Sequence, residues 1–454
     1  MELSGLKVLV FGSGRSGIGA ARLLRKTGAA PVIFDGNTAV DENAVRQAWG
    51  NDNDIQIYKG ELPEDVRRSL DLAVLSPGVP CDTPLVQQMR GEGIPIWGEV
   101  ELAWQTTKGR VLAITGTNGK TTTTALLGHI MEDALPGKVF VVGNIGTAYT
   151  SRSLETTDDS VTVAEISSFQ LETIHDFAPV VTAILNITED HLNRHHTMEE
   201  YIRVKEEITR NQGPEDVCVL NYEDSVLRGF GSRAVPRVFW FSSAHVLEEG
   251  IYLDGERIIL RDGDRTYHIA DTSQLKLLGT HNYENVMAAA AMAYFAGVDP
   301  EIISRSVCTF TAVPHRIEFV EEINGVAYYN DSKGTNPDAA IKGIQAMNRP
   351  TLLIGGGYDK QSSYDEWIQA FDGKVRFLVL IGQTKEKIRE AALKNGFTDI
   401  VLCEDLAEAV ATCTRLSRPG DAVLLSPACA SWGQFDNYEQ RGDVFKALVR
   451  GLKA

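Results

Sequence analysis

"RVLAITGTNGKTTTT", residues 110–124, is the stretch on which the reading of this chain turns. An apolar run delivers the backbone into Gly116, Thr117, Asn118 and Gly119, whose amide groups can line up toward phosphate oxygens where a helix begins. Lys120 would then reach the β and γ phosphates of a nucleotide, and the Thr121 hydroxyl would sit on Mg²⁺. The usual phosphate loop has a further glycine where this chain has Ile114. The loop is therefore shortened, but it keeps the residues that meet the γ phosphate.

A metal needs more than one hydroxyl, and the next strand supplies a carboxylate. "VTVAEISSFQLE" (161–172) is apolar up to Glu165 and then turns through Ser167 and Ser168 toward a helix. A carboxylate at a strand end beside a phosphate loop suits magnesium. "VVTAILNITEDHLNRHH" (180–196) closes on Asp190, His191, His195 and His196. The histidines invite a zinc reading, but no third ligand follows at metal spacing, and oxygen-ligated Mg²⁺ suits the neighbouring loop better. In "TMEEYIRVKEEI" (197–208), Thr197 and Glu200 predict a capping box, and Met198, Tyr201, Ile202 and Ile208 predict one apolar face that Lys205 shares. A lysine held on such a face has a lowered pKa or a buried anionic partner, unless its stem snorkels to water. A neutral amine can also take up carbon dioxide, releasing a proton and becoming a carbamate that binds a metal through two oxygens.

Around this centre the chain reads as α/β, with short apolar runs alternating with longer amphipathic segments and three strands running straight into glycine turns. Three lobes are expected, over residues 1–98, 99–312 and 313–454. In the first, Gly12, Gly14 and Gly17, with Arg15 and Ser16 between them, match a dinucleotide fingerprint, and Asp35 ends the next apolar run. So short a lobe lacks the second half that a dinucleotide requires, which favours another nucleotide over NAD. In the third, Asp331, Lys333, Thr335, Lys360, Ser426 and Ser431 fall at strand ends or helix starts, a row suited to carboxylates or phosphates and equally to capping.

Composition narrows the partners. With 454 residues and a formal charge of −17, the chain is not built to embrace nucleic acid. No secretory signal or membrane span is evident, and the six cysteines show no paired spacing, which together predict a cytoplasmic protein with reduced thiols.

The ordered motifs "GTNGKTTT", "VVGNIGTA", "EISSFQLE", "NITEDHLNRH", "YIRVKEEI", "GTHNYENVMAAA", "VPHRIE", "NDSKGTN" and "SPACASWGQFDNYEQRG" resemble the Mur ligases along essentially the whole chain. The resemblance implies a Rossmann-like first domain, a P-loop ATPase-like central domain and a Rossmann-like third domain. It implies an ATP-dependent amide ligase that adds D-glutamate to UDP-N-acetylmuramoyl-L-alanine through an acyl phosphate, with two Mg²⁺ ions, acting as a cytoplasmic monomer in peptidoglycan precursor synthesis. Carried over residue by residue, it assigns ATP to residues 116–122, including Thr122, and to Asn282, Asn285, Arg316 and Asp331. Metal falls to Thr121, Glu165, His191 and an N6-carboxylated Lys205. Lys120, Glu165, His191 and Lys205 would be the catalytic set. The UDP-sugar falls to Gly14, Arg15, Ser16, Asp35, Asn144, Ser167 and His191, and the third-lobe contacts to His315, Lys333, Thr335, Lys360, Ser431 and Tyr438. Trp432 and Gly433 stand where leucine and aspartate are usual, Tyr438 replaces phenylalanine, and Gly36 and Asn37 replace a hydroxyl and a basic residue. Three rivals remain at this stage: a sister ligase with another amino acid, an NAD-dependent oxidoreductase, and a nucleotide switch that hydrolyses ATP without an amino acid.

Overall fold

The computed structural model describes residues 2–50, 55–311, 314–359 and 361–453. The chain divides into two compact units, one of residues 1–271 with 284–307, the other of residues 272–283 with 308–454.

The first unit holds two sheets. In spatial order the smaller has Gln56–Lys59, Ala30–Asp35, Lys7–Phe11, Leu72–Leu75 and Ile96–Gly98, all parallel. Its first strand lies at the switch point, so the turn after Phe11 opens where open α/β sheets take ligands. Gly17 allows that turn, since a Cβ there would lie 1.8 Å from the Gly12 carbonyl oxygen. The larger sheet has nine strands, with Arg110–Thr115 between Val181–Ile184 and Val161–Glu165. Its strands are parallel from Val139–Gly143 through Gly250–Asp254, after which Arg257–Asp262 and Arg265–Asp271 add an antiparallel meander. Central strands such as Val217–Asn221 are buried at every residue, as expected of parallel strands covered on both faces.

Helix Glu99–Trp104 serves both sheets. Its Leu102 packs into the first core with Val8, Val74 and Trp97, while Val100 and Ala103 pack into the central core with Val111 and Phe177. The Glu101 carboxylate, fully buried, accepts hydrogen bonds from the backbone amides of His175, Asp176 and Phe177 at 2.7–3.2 Å. Several amide donors repay the desolvation of a buried carboxylate.

The second unit carries a six-stranded sheet ordered Glu318–Ile323, Val326–Asn330, Ala422–Leu425, Thr351–Gly355, Val375–Leu380 and Ile400–Leu402, antiparallel only at the first pair. No helix among the described residues is long and apolar enough to cross a membrane.

Candidate active site

The strand Arg110–Thr115 ends at the phosphate loop, and helix Lys120–Ala134 starts directly after Gly119. Gly119 is left-handed, with φ of 87°, and a Cβ there would come within 2.3 Å of Asn285 Oδ1. Only glycine fits both conditions. Lys120 Nζ donates to the carbonyls of Gly116 at 2.7 Å and Thr117 at 2.9 Å. Lys205 Nζ donates to that same Gly116 carbonyl at 2.8 Å. The loop is braced from behind: Asn118 N donates to Asn186 Oδ1 at 2.8 Å, and the hydroxyls of Thr117 and Tyr201 lie 3.0 Å apart.

Lys205 is 1% exposed, with its ammonium 4.7 Å from the Tyr201 ring centroid. Burial, then the neighbouring charge of Lys120, hold its pKa well below the usual lysine value, against an opposing pull from Asp190. The buried face differs slightly from the one expected. Val204 is buried with Tyr201, Lys205 and Ile208, while Met198 and Ile202 are only half-buried, because the helix turns its Tyr201 edge to the loop. The capping box is half made. Thr197 Oγ1 accepts from Glu200 N at 3.2 Å, but the Glu200 carboxylate accepts from Arg203 instead of reaching back.

Glu165 ends its strand buried, at 1% exposure. Its Oε1 accepts from Asn144 Nδ2 at 2.8 Å, while Oε2 is buried with no hydrogen-bond partner among the described residues. A buried carboxylate oxygen left open is costly unless a cation meets it. With the Thr121 hydroxyl in the first turn of the adjacent helix, the donors are hard oxygens, and this set fits Mg²⁺. The acidic and histidine cluster diverges. His191 is left-handed (φ 54°) and about half exposed, with its ring 4.9 Å from that of Phe169. His195 is buried, 3.0 Å from Ser168 Oγ and 3.5 Å from Glu172, and His196 points outward beside Asp82.

A cleft of about 330 Å³ opens between the turn at Gly14, Arg15 and Ser16 and, on the side of the nine-stranded sheet, the loop residues Asn144 and Gly146 with Gln170 of the short helix Ser168–Leu171. Asp35 closes the back of the turn, accepting from Ser13 N at 2.9 Å and Ser13 Oγ at 2.6 Å. Burial pushes its pKa up, but the hydrogen bonds from Ser13 and Asn37 outweigh it and hold the carboxyl below its usual range. Ser167 caps a short helix reciprocally with Gln170.

In the second unit, Asp331 follows the strand Val326–Asn330 and accepts from Ser426 Oγ at 2.7 Å. Burial pushes its pKa up to about 7, only partly offset by Ser426 and the Arg316 charge. His315 is left-handed, and its Nδ1 lies 3.0 Å from Asn330 Nδ2; Tyr438 and Lys333 flank this corner, with Lys333 Nζ 5.7 Å from the Tyr438 ring centroid. Ser431 is buried, Thr335 N donates to the Lys333 carbonyl, and Asn282 Nδ2 donates to the Leu278 carbonyl at 2.8 Å. Lys360 lies outside the described residues.

Sequence comparison supplies the deciding observation. The Mur ligase MurD-like N-terminal domain matches residues 6–98, the Mur ligase middle domain 114–293 and the Mur ligase glutamate ligase domain 315–429. A UDP-N-acetylmuramoylalanine--D-glutamate ligase of Lachnospira eligens is 54% identical over 452 residues, covering 100% of both chains. The chain belongs to the Mur ligase family. A ligase of the same name from Lachnoclostridium phytofermentans is 52% identical, again along 100% of both chains. Among solved structures, MurF of Acinetobacter baumannii superposes with a TM-score of 0.63 at 17% identity, over 98% of this chain and 93% of that one, which is a likeness of fold.

Three residues of this Mur ligase escaped the reading of motifs. Ser76, Glu99 and Gln170 all line the cleft. Glu99 is a buried carboxylate that accepts from Thr150 N at 2.8 Å and Thr150 Oγ1 at 2.9 Å, and burial raises its pKa. A carboxylate directly after the buried strand end "IWG" was the available signal.

Proposed function

We propose that this Mur ligase joins D-glutamate to UDP-N-acetylmuramoyl-L-alanine at the expense of ATP. The observation that carries the reading is the convergence of Lys120 and Lys205 on one carbonyl of the phosphate loop, beside a buried Glu165 with an open oxygen. The names borne by the full-length relatives supply the amino acid and the sugar nucleotide.

The reaction begins with an obstacle. A carboxylate is a poor electrophile until one of its oxygens becomes a leaving group, and ATP supplies that by phosphorylating the alanyl carboxylate. The Lys120 ammonium and the loop amides balance the charge that builds on the transferred phosphoryl group. Magnesium, held by Thr121, Glu165 and a carboxylated Lys205, would polarise the phosphate oxygens. Asn144 orients Glu165 through one oxygen and leaves the other for the metal. The unprotonated amine of D-glutamate then attacks the acyl carbon, a C–N bond forms, the C–O bond to phosphate breaks, and the nitrogen gives up a proton as phosphate leaves. His191, on the exposed turn beside Phe169, is assigned to the muramoyl end and the second metal. The cleft at Gly14, Arg15, Ser16 and Asn144 takes the UDP-sugar, with Asp35 and Ser167 supporting its walls. Asn282 and Asn285 are assigned to the adenine side, Arg316 and Asp331 to the nucleotide with His315 beside them, Lys333 to substrate, and Thr335, Lys360, Ser431 and Tyr438 to D-glutamate. The three domains are set at residues 1–98, 99–312 and 313–454, and the enzyme acts as a cytoplasmic monomer.

The test is phosphate release from ATP and Mg²⁺ with UDP-N-acetylmuramoyl-L-alanine, comparing D-glutamate, L-glutamate, L-lysine, meso-diaminopimelate and no amino acid. Release that requires D-glutamate establishes the reading. Release with another amino acid, or with none, overturns it.

A further inference from the structure

The segment that carries His191 meets the first lobe through the largely buried Arg194, besides the exposed approach of His196 to Asp82. Arg194 is 11% exposed and forms a two-point ion pair with Glu172, Nε to Oε1 at 3.1 Å and Nη2 to Oε2 at 2.6 Å. The same Nη2 donates to the carbonyl of Val79 at 2.9 Å. Val79 follows Ser76, Pro77 and Gly78, which form the first-lobe wall of the cleft. The Arg194 guanidinium also stacks 5.0 Å from the centroid of Phe169, whose other neighbours are the rings of His191 at 4.9 Å and His195 at 5.6 Å. His195 in turn lies 3.5 Å from Glu172. One guanidinium thus touches the loop that walls the sugar-nucleotide cleft, the carboxylate behind the central site and the ring that supports His191.

Stability alone does not call for this geometry. A buried guanidinium needs its remaining N–H groups met, but that need does not select a carbonyl on the cleft wall, and buried ion pairs are weak stabilisers. Lysine would keep the charge but could not serve both carboxylate oxygens and the Val79 carbonyl in one plane.

We propose that Arg194 is a positioning residue that fixes the 76–79 loop against the turn bearing His191, so that this wall of the cleft is held in the geometry that binds the sugar nucleotide. This rests on the ligase reading above. The loop and the turn come from different lobes, and without the clamp the 76–79 wall would keep the helix packing behind it but lose its hydrogen-bonded tie to the turn.

The experiment compares the full-length enzyme with Arg194→Lys and with the double variant Arg194→Met/Glu172→Gln, which removes the clamp without leaving a buried unpaired charge. Michaelis constants for UDP-N-acetylmuramoyl-L-alanine and for ATP are measured for each, alongside a thermal melt. The expected result is a rise of about tenfold or more in the UDP-sugar constant for both variants, with the ATP constant within about twofold of the parent, since a tenfold change corresponds to one lost interaction of ordinary size. Equal rises in both constants, or a double variant with parental constants, would overturn the clamp. Failure of the unmodified enzyme to turn over the UDP-sugar with D-glutamate would instead refute the ligase reading, so the two failures are told apart.

Discussion

Lys120 and Lys205 place their ammonium nitrogens 2.7 and 2.8 Å from one acceptor, the carbonyl oxygen of Gly116. Two cations sharing one acceptor is unfavourable when both are charged, and of the two it is Lys205 that is almost wholly enclosed. Its conversion to a carbamate would remove the repulsion and supply an anion. Incubation with ¹³C-bicarbonate should therefore give a carbamate resonance that Lys205→Met lacks, and that variant should lose about a hundredfold or more in kcat, as removal of a preorganised charged group typically does.

The same lysine makes a stability prediction. Its folded pKa is depressed, so between that value and the ordinary lysine value the unfolded chain holds the extra proton and stability rises with pH. As pH falls toward the folded value, that contribution is lost. Lys205→Met should remove this dependence, so in buffer stripped of bicarbonate, where the amine is free, its melting temperature relative to the parent should climb as pH is lowered from 10 to 7. A constant difference would contradict the depressed pKa.

Asp331 runs the other way. A carboxyl pushed up to about 7 stays protonated in the folded enzyme where the unfolded chain has lost its proton, so its contribution falls as pH rises from about 4 to 7. Asp331→Asn should gain melting temperature over the parent at pH 8, and the gain should shrink at pH 5. Melts at both values check it.

Gly119→Ala should raise the ATP Michaelis constant by more than about tenfold, because the left-handed backbone and the 2.3 Å approach to Asn285 cannot both persist. Titration of nucleotide binding reads this directly, and unchanged binding would show that the loop relaxes freely.

Glu165→Gln should raise the Mg²⁺ concentration needed for half-maximal activity by about tenfold or more, since the open oxygen would no longer carry charge. Asn144→Ala should have a smaller effect of the same sign, because it releases Glu165 without neutralising it. A Mg²⁺ titration of the two variants orders them.

The central site was legible in sequence because its chemistry is local. Gly119, Lys120 and Thr121 are adjacent in the chain, Glu165 ends an apolar run, and Lys205 violates the polarity of its own helix face. The helix face was legible as well, since Met198 and Ile202 pack against the core that Tyr201 and Ile208 enter, and what the spacing left out was Val204, buried where the helix edge meets the phosphate loop. Ser76, Glu99 and Gln170 were missed for a different reason. Each acquires its place only when the five-stranded and nine-stranded sheets come together, and no spacing along the chain encodes that meeting. Arg194 is the extreme case, since in sequence it is one cation in "HLNRHH", while its partners Val79 and Glu172 lie 115 and 22 positions away.

Helix Glu99–Trp104 has a bearing on how such enzymes can be recombined. Leu102 belongs to one core and Val100 and Ala103 to the other, and Glu101 holds three amides of the 175–177 loop. A chimera that draws its first lobe from a distant ligase would inherit a helix fitted to someone else's loop if the crossover fell after Trp104. A junction at Gly98, by contrast, would keep Glu101 with its own amides and leave the Leu102 packing and the His175–Ile96 and Arg194–Val79 hydrogen bonds to be matched, which makes this helix the natural unit of exchange.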